Sequence, residues 1–442
     1  MESLSGRKAL SALSVLLVAL PLISCHGIVG TGLKTADAII VSVAWDAPVA
    51  GARAFARSVS QVGEGATLLA SLHDGVVLLE EKAITLSDGA TQAAVSFTSI
   101  PIGVRLTFTA SVNAANGLSL YTGSSSFTVG QSGLTQAILS MQKSPIVVAV
   151  GSSGDAFISN DASVWLGPYP TGLSVVRSVS YANGRFFAVG EDGATNGLAS
   201  SVVGQTWIKE NLDATARTLQ WVSAAPNGSL MIRGVDAGIT NKFFHSHDGL
   251  SWSGPANFTN ITVGPIWFNG EWIITSSNAT GTRRSSDGIT WSPAVSAGGL
   301  YQINALIGYG DKLIAGGGAP LNEFKQVNVW NSAITAFSGP ITLPGTTHYI
   351  NAFALDPARN RLLAVGSGSG AQVAYSDNQG SAWTVATGTG TKVMKAAVKW
   401  KGGFLIGDTD GQIFRSANGA AFSPAGAALG ADIGGIAYNG AP

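Results

Sequence analysis

Short apolar runs separated by glycine-rich turns follow one another along the chain from residue 37 onward. Between residues 37 and 142 the apolar or alternating runs are Ile39–Trp45, Thr67–Leu72, Val76–Ile84, Ala93–Thr98, Arg105–Asn113, Leu118–Thr122 and Ala137–Met141. Asp74-Gly75, Asp88-Gly89 and Asn116-Gly117 separate such runs and are strong turn signals. Seven short strands predict a β-sandwich of immunoglobulin-like or transthyretin-like type over 37–142. We expect a spacer domain, with a peptide- or sugar-binding module as the alternative.

A seven-residue signature recurs after residue 146. Its clearest copies run Ser-x-Asp-Gly-x-x-Trp or close to it: Ser246, Asp248, Gly249 and Trp252; Ser285, Asp287, Gly288 and Trp291; Ser376, Asn378, Gly380 and Trp383. Weaker copies end at Trp165, Trp207 and Phe422, and an eroded one ends at Phe337. The terminal aromatic residues are therefore spaced 39 to 46 positions apart, which is the period of a four-stranded propeller blade.

The signature suits a hairpin corner. Ser and Asp side chains cap backbone groups of a tight turn, Gly adopts a positive φ, and the aromatic ring packs between sheets. It resembles the Asp-box, or bacterial neuraminidase repeat, of sialidases, sortilin-type receptors, some endoglucanases and a photosystem assembly factor. The resemblance covers about two thirds of the chain. It implies that the Ser, Asp or Asn, Gly and Trp residues given above are structural rather than catalytic.

The two ends of this repeat region complement each other. Ile433–Gly440 matches the strand and turn around Tyr181–Gly184 but has no second strand after it. Ile146–Gly151 reads as a second strand with no first strand before it. The sequence therefore predicts an all-β chain whose residues 146–442 form a seven-bladed β-propeller, in which the last strand completes the first blade.

The N-terminus carries Arg7 and Lys8 before an apolar run, Ala9–Ile23, of signal-peptide length. The run ends in Leu22-Ile-Ser-Cys25, which resembles the bacterial lipobox. The resemblance implies a signal peptide over 1–24, lipidation of Cys25, a linker over 25–36 and a membrane as partner. His26 after the cysteine favours the outer membrane of the cell envelope. An ordinary signal peptide with a chance cysteine is the alternative.

Charged residues make up 11 % of the chain and the formal net charge is zero. Without a basic surplus to neutralise phosphates, nucleic-acid binding is not expected. One cysteine and five scattered histidines give no metal-ligand spacing, so we expect no metal and no cofactor. We expect a monomer.

A ligand site is expected on the propeller face opposite the Asp-box corners, among the loops at the channel mouth. The polar residues assigned to those loops are Glu191, Asp192, Asp236, Lys242, Arg283, Tyr301, Glu323, Lys325, His348, Tyr349, Asp408 and Asp410. Asp408 to Gly411 could be a cation-binding turn, although one turn supplies few oxygens.

Two functions follow. The first is a non-catalytic envelope protein that binds a protein or glycan, or that scaffolds an assembly. The alternative is a glycoside hydrolase of sialidase-like or endoglucanase-like type. The first-blade strand Ile146–Gly151 lacks the arginine of the sialidase Arg-Ile-Pro hallmark, whereas an aspartate pair such as Asp192 with Asp408 would suit an endoglucanase.

Overall fold

The computed structural model describes residues 35–45, 62–130, 135–193, 195–210, 212, 216, 218–236, 240–261, 263–276, 281–296, 302–318, 326–334, 337–344, 347–368 and 372–440. These residues form an all-β protein whose one helical element is a 3₁₀ turn, Pro357–Arg359. Within these ranges no helix is long and apolar enough to cross a bilayer. Cys25 and the rest of the predicted lipobox lie outside the described residues.

The first eight strands build a two-layered domain. They are β1 (Thr35–Ala44), β2 (Thr67–Asp74), β3 (Val77–Thr85), β4 (Gln92–Pro101), β5 (Arg105–Asn113), β6 (Ser119–Thr128), β7 (Thr135–Ser140) and β8 (Gln142–Lys143). One sheet has the order β4-β1-β7 and the other β3-β2-β5-β6-β8. Alternate residues of β5 are buried, and Phe108 meets Phe97 of the other sheet edge to face at 5.7 Å between ring centroids. This period of two gives each sheet one core face and one solvent face.

The remaining strands form small antiparallel sheets that follow one another along the chain. The first three contain β9 (Val147–Gly151), β10 (Asp155–Ser159) and β11 (Leu166–Pro170); β12 (Val175–Ala182), β13 (Arg185–Asp192), β14 (Thr195–Ser201) and β15 (Ile208–Glu210); β16 (Thr218–Ala224), β17 (Leu230–Val235), β18 (Thr240–Ser246) and β19 (Ser253–Thr259). The next two contain β20 (Val263–Phe268), β21 (Glu271–Thr275) and β22 (Arg283–Ser285); β23 (Gln302–Tyr309), β24 (Lys312–Gly318), β25 (Gln326–Trp330) and β26 (Phe337–Thr342). The last two contain β27 (Thr347–Asp356), β28 (Arg361–Gly368), β29 (Val373–Ser376) and β30 (Thr384–Val385); β31 (Met394–Trp400), β32 (Gly403–Asp408), β33 (Ile413–Ser416) and β34 (Ser423–Pro424).

The final strand, β35 (Ile433–Tyr438), pairs antiparallel with β9, so the first of these sheets has the order β11-β10-β9-β35. Val148 lies opposite Ala437, and both side chains belong to one apolar cluster. The neighbouring pair, Ala149 and Ile436, belongs to a different cluster on the other face. The two ends of the repeat region are therefore joined within one sheet.

The second strand of each sheet is buried on both faces. β13, for example, has consecutive buried residues from Phe186 to Gly190 rather than an alternating pattern. Continuous apolar runs of this kind are expected where other sheets cover both faces. The first strand of each sheet contacts the first strand of the next along the chain, and β35 contacts both β31 and β12.

Within the described ranges, the two-layered domain contacts these sheets at one end. Asn160, in the β10–β11 turn, accepts a hydrogen bond from the Ser119 backbone at 3.0 Å and donates one to its carbonyl at 3.1 Å. Lys143 reaches the carbonyl of Gly184, in the β12–β13 turn, at 3.4 Å. The opposite end of the sheets, where β12 begins, is away from these contacts.

Candidate functional site

In each of the seven described sheets of the repeat region, a β-bulge interrupts the pairing near the start of one strand. These strands are β12, β16, β20, β23, β27, β31 and, in the sheet of β9, β35. Each shift lies between two paired positions: Val176 and Ser178, Leu219 and Trp221, Val263 and Ile266, Ile303 and Ala305, Ile350 and Ala352, Met394 and Ala396, Ile433 and Gly435. The residues left in the bulges are Arg177, Gln220, Gly264 with Pro265, Asn304, Asn351, Lys395 and Gly434. We call these residues the bulge ring.

The bulges turn polar side chains out of an otherwise apolar strand. The residue before each bulge is apolar and buried: Val176, Leu219, Val263, Ile303, Ile350, Met394 and Ile433. By contrast Gln220, Asn304 and Asn351 are half-buried, and Arg177 and Lys395 are exposed. An extra residue in one strand re-aims its side chain without breaking the sheet, and bulges of this kind concentrate at barrel rims and beside binding sites.

Neighbouring members of the bulge ring are linked. Asn351 donates a hydrogen bond from Nδ2 to the carbonyl of Met394 in the next sheet at 2.8 Å, directly before Lys395. A Cβ added to Gly434 would lie 3.3 Å from the Arg177 carbonyl oxygen. The Val176 carbonyl oxygen would lie 3.0 Å away, so a side chain at position 434 would require the neighbouring strand to shift. The bulge ring is thus a set of polar groups held on packed strands, at the end of the sheets opposite the two-layered domain.

Ion pairs fix the two cations of the bulge ring. Arg177 donates to Oε1 of Glu191 from Nε at 3.0 Å and from Nη2 at 2.5 Å. Lys395 lies 2.5 Å from Asp432. Burial raises the pKa of Asp432, but hydrogen bonds from Lys395 and Ser152 outweigh it, and the net direction is downward. Charge is therefore balanced around this rim.

The predicted carboxylates nearby are also engaged. Asp192 pairs with Lys209 at 2.6 Å, and Asp410 pairs with Lys392. Asp408 is buried and accepts backbone N–H groups of Asp410 at 2.9 Å and of Gln412 at 2.7 Å. The Asp408–Gly411 segment is thus a turn closed by Oδ1 of its own carboxylate. No cluster of three or more metal-ligating side chains occurs among the described residues.

Several residues predicted to lie in loops lie in strands instead. Glu191 and Asp192 end β13, Asp408 ends β32, His348 and Tyr349 lie in β27, and Lys242 and Arg283 lie in β18 and β22. Lys242 is buried within β18, opposite Gly234 of β17. Arg283 begins β22, stacks on Phe258 at 4.9 Å from its ring centroid and donates to the Ser292 carbonyl at 2.9 Å. The spacing of the repeat places Lys242 and Arg283 in loops, but a long aliphatic stem lets such a residue remain in a strand.

The other predicted residues of this set divide as follows. Asp236 accepts the Thr240 backbone N–H at 3.3 Å across the β17–β18 turn. Tyr349 is exposed in β27, close in sequence to Asn351. His348 belongs to the same strand, at a second register shift, but its side chain lies outside the described residues. Tyr301, Glu323 and Lys325 also lie outside them.

The residues of the seven-residue signature close hairpin corners by a recurring set of hydrogen bonds. Ser246 Oγ donates to Asp248 at 3.1 Å and accepts the Gly249 N–H at 2.8 Å. Asp248 accepts the N–H groups of Leu250 and Ser251 at 2.8 and 2.9 Å. The same bonds recur at Ser285, Asp287 and Gly288. At the third corner Ser376 donates to Asn378 and accepts the Gly380 N–H, and Asn378 accepts the N–H of Ala382.

These bonds hold the box carboxylates in their ionised form. The backbone N–H groups of Thr290 and Ile289 lower the pKa of Asp287. In the first box burial raises the pKa of Asp161, but hydrogen bonds from Ser163 and Val164 bring it down to about 2. Carboxylates held in this way stabilise corners and are poorly suited to proton transfer.

Sequence reasoning did not find the bulge ring. Its polar members differ in residue type, and none stands in a motif. The signal that could have found them is a buried apolar residue followed by a polar one near the start of five of the seven bulged strands, with glycine in the polar position of the other two. That signal emerges only when the seven strands are aligned in register.

No family model matches the chain, and no curated protein matches its sequence. A solved protein from Lactobacillus plantarum is 12% identical with a TM-score of 0.51, covering 68% of this chain and 100% of that one. A functionally unknown protein from Desulfotomaculum acetoxidans DSM 771 is 11% identical with a TM-score of 0.48, covering 67% and 99%. The computationally designed Ika8 protein is 13% identical with a TM-score of 0.43, covering 66% and 87%. The likeness to the first of these, together with the succession of small antiparallel sheets, assigns the chain a propeller-like all-β fold.

Proposed function

We propose that the chain is a non-catalytic, lipid-anchored protein of the bacterial cell envelope that binds a protein or glycan ligand at the bulge ring. In this proposal residues 146–442 form a closed seven-bladed propeller of the Asp-box type. Pairing of β35 with β9 and the contacts between successive first strands support closure. The recurring corner bonds of Ser246, Ser285 and Ser376 support the Asp-box assignment.

The observation that carries the binding function is the recurrence of a bulge at the same place in one strand of each of the seven sheets. Amide groups of Gln220, Asn304 and Asn351 offer both donors and acceptors, and Arg177 and Lys395 add cationic donors. Groups on packed strands are positioned more rigidly than groups on loops. A closed ring would gather them around one axis, where a polar ligand can meet several at once.

The state of the carboxylates favours binding over hydrolysis. Glycoside hydrolysis needs two carboxyl groups free to act on the substrate. Asp192 is paired with Lys209, and Asp408 is buried in its own turn. The endoglucanase-like use of this pair would require both sets of contacts to be broken.

Binding is tested with the polypeptide 26–442, which contains every residue that the structure describes. A glycan array and a pull-down from envelope extract identify the ligand, and titration measures its affinity. Gln220→Ala with Asn304→Ala should weaken binding at least tenfold, since losing each polar contact costs on the order of 1 kcal/mol. Gln379→Ala, in the β29–β30 turn at the other end of the sheets, is the matched control and should bind as the parent does.

A panel of glycoside substrates distinguishes the alternative function. Turnover that disappears in Asp192→Ala or Asp408→Ala would contradict the binding proposal and favour a hydrolase. Unchanged ligand affinity in the double variant would remove the bulge ring as the site.

A further inference from the structure

The hairpin between β2 and β3 ends in four consecutive exposed apolar residues. Val76 is 99% exposed, Val77 58%, Leu78 50% and Leu79 39%. We call these residues the apolar hairpin tip. They stand out because most large apolar side chains of this domain are buried between its two sheets.

Local structure makes the tip project. Asp74 pairs with Val77, so Gly75 and Val76 alone form the turn, and Gly75 has a φ of 57°. A bulge then leaves Leu79 between the paired residues Leu78 and Glu80. β3 is an edge strand with an exposed or half-buried residue at every position. A contiguous apolar surface of this kind marks an interaction site.

Strand register places the tip at the end of the domain where the chain enters. Thr35, the first residue of β1, pairs with Pro101 at the end of β4. A short turn leads from Pro101 to β5, where Leu106 pairs with Asp74 at the base of the tip. The residue at which the chain arrives from Cys25 and the apolar hairpin tip therefore share one end of the domain.

The sheets of the repeat region contact the other end. Asn113, at the far end of β5, pairs with Ser119, and Ser119 bonds to Asn160 of the β10–β11 turn. The order along the long axis is therefore tip and chain entry, then the body of the domain, then the repeat region, then the bulge ring.

The distance from Cys25 to this end is short. Residues 26–34 span at most about 30 Å when fully extended. A membrane that holds acyl chains on Cys25 would lie within that reach of Thr35, at the end of the domain that carries the tip. Directly after the tip, β3 continues with Glu80, Glu81 and Lys82, whose charges favour water or the headgroup layer.

We propose that the apolar hairpin tip inserts into the surface of the bilayer that carries the Cys25 anchor. This inference rests on the proposed lipid anchoring. A second, protein-borne contact beside the acyl chains would fix the tilt of the domain, because a lipid on a linker alone lets the protein rotate freely. The bulge ring would then face away from the membrane.

The experiment supplies the anchor artificially, so that failure of lipidation and failure of insertion are told apart. The polypeptide 26–442 lacks the only cysteine of the chain. An N-terminal histidine tag binds it to phosphatidylethanolamine–phosphatidylglycerol vesicles that contain a nickel-chelating lipid. Val76→Cys is labelled with an environment-sensitive nitrobenzoxadiazole fluorophore. Ile138→Cys is the matched control, since Ile138 is 73% exposed on β7 of the other sheet.

On binding to vesicles, the Val76→Cys probe should brighten and shift to shorter wavelength, whereas the Ile138→Cys probe should not change. Without the tag, replacing Val76 and Leu78 by serine should weaken partitioning onto the same vesicles roughly tenfold per side chain. Identical responses of the two probes would overturn the proposal. A Val76→Cys probe that is already blue-shifted without vesicles, in a species of twice the mass, would assign the tip to a second copy instead.

Lipidation is measured separately in cells, by incorporation of a fatty-acid analogue into the full chain and its loss in Cys25→Ser. If the chain incorporates no fatty acid but its tip inserts, the lipid anchor is ruled out and the membrane contact of the tip is still supported. Fatty-acid incorporation at Cys25 without insertion of the tip would support the lipid anchor and rule out the membrane contact of the tip.

Discussion

The backbone N–H of Ile146 donates a hydrogen bond to the Asn439 side-chain oxygen at 2.5 Å, although 293 positions separate the two residues. The Nδ2 group of Asn439 donates in turn to the carbonyl of Ser144 at 3.2 Å. One amide side chain therefore fastens the end of β35 to the segment that leads into β9. These two side-chain hydrogen bonds add to the backbone pairing of β35 with β9.

Removing the Asn439 side chain should loosen β35 more than the other strands. Asn439→Ala deletes both hydrogen bonds and leaves a partly buried N–H unpaired, so we expect the free energy of unfolding to fall by about 2 kcal/mol. Urea titration measures that loss, and hydrogen exchange of residues 433–438 should become faster. Asn227→Ala, which loses only bonds to Ser229 within its own turn, should leave exchange in β35 unchanged. Equal hydrogen-exchange rates of residues 433–438 in both variants would mean that the Asn439 side chain does not hold β35.

The box glycines should tolerate alanine poorly, for two separable reasons. Gly249 has a φ of 75°, and an added Cβ would lie 2.2 Å from the ring of Phe187 in the preceding sheet. Gly270, in the β20–β21 turn, is the comparison outside the boxes. It has a φ of 83°, but no atom lies within 4 Å of the Cβ that alanine would add there. Gly270→Ala should therefore cost about 1 kcal/mol of backbone strain, and Gly249→Ala about 2 kcal/mol more, as in an overpacked core. Equal losses of unfolding free energy in the two variants, measured by thermal or urea unfolding, would show that a Cβ at position 249 does not clash with Phe187.

The first box should make stability depend on acid. The pKa of Asp161 falls from 3.8 to about 2 in the folded chain. A carboxyl with a lowered folded pKa stabilises the fold fully above its unfolded value, and this contribution is lost as pH falls from 3.8 toward 2. Asp161→Asn should therefore be less stable than the parent at pH 7, with the gap closing below pH 4.

The box that contains Asn378 provides the control, because the same corner bonds are made there without a titratable group. Asn378→Ala should lower the urea midpoint by a similar amount at every pH. A gap between Asp161→Asn and the parent that stays constant down to pH 2 would contradict the assigned role of the carboxylate.

The corners could be predicted from sequence because they need particular residue types at fixed offsets. Ser246, Asp248 and Gly249 each supply a group that few other residues supply, and the strands around them follow from apolar runs. Even the eroded copy keeps its backbone shape: Ile334 adopts a φ of 54° where most other copies have glycine, and Ala162 adopts the same φ in the copy that ends at Trp165. The buried side chain of Ile334 belongs to a core cluster, which offsets the strain.

The candidate site could not be predicted in the same way. A bulge is one extra residue in a register, and no side chain is required for it. Arg177 and Lys395 read as ordinary strand or loop residues until their sheets are known. The spacing of the repeat places Lys242 in a loop, whereas the structure buries it within β18. Site residues that depend on register are thus visible only after strand pairing is known.

Completion of the β9 sheet by β35 decides whether the seven bulges can surround one axis, since only a joined ring brings them together. In the polypeptide 26–442, Val148→Cys and Ala437→Cys place two cysteines directly opposite each other. Paired Cα atoms of antiparallel strands are about 4.5–5.5 Å apart, which a disulfide can bridge. Val148→Cys with Ile436→Cys is the control, because a shift of one residue puts the second side chain on the other face.

Intact mass and peptide mapping after mild oxidation give the answer. We expect an intramolecular 148–437 disulfide in nearly every folded molecule and free thiols in the 148–436 control. Free thiols in the folded 148–437 variant, or disulfides only between chains, would contradict it.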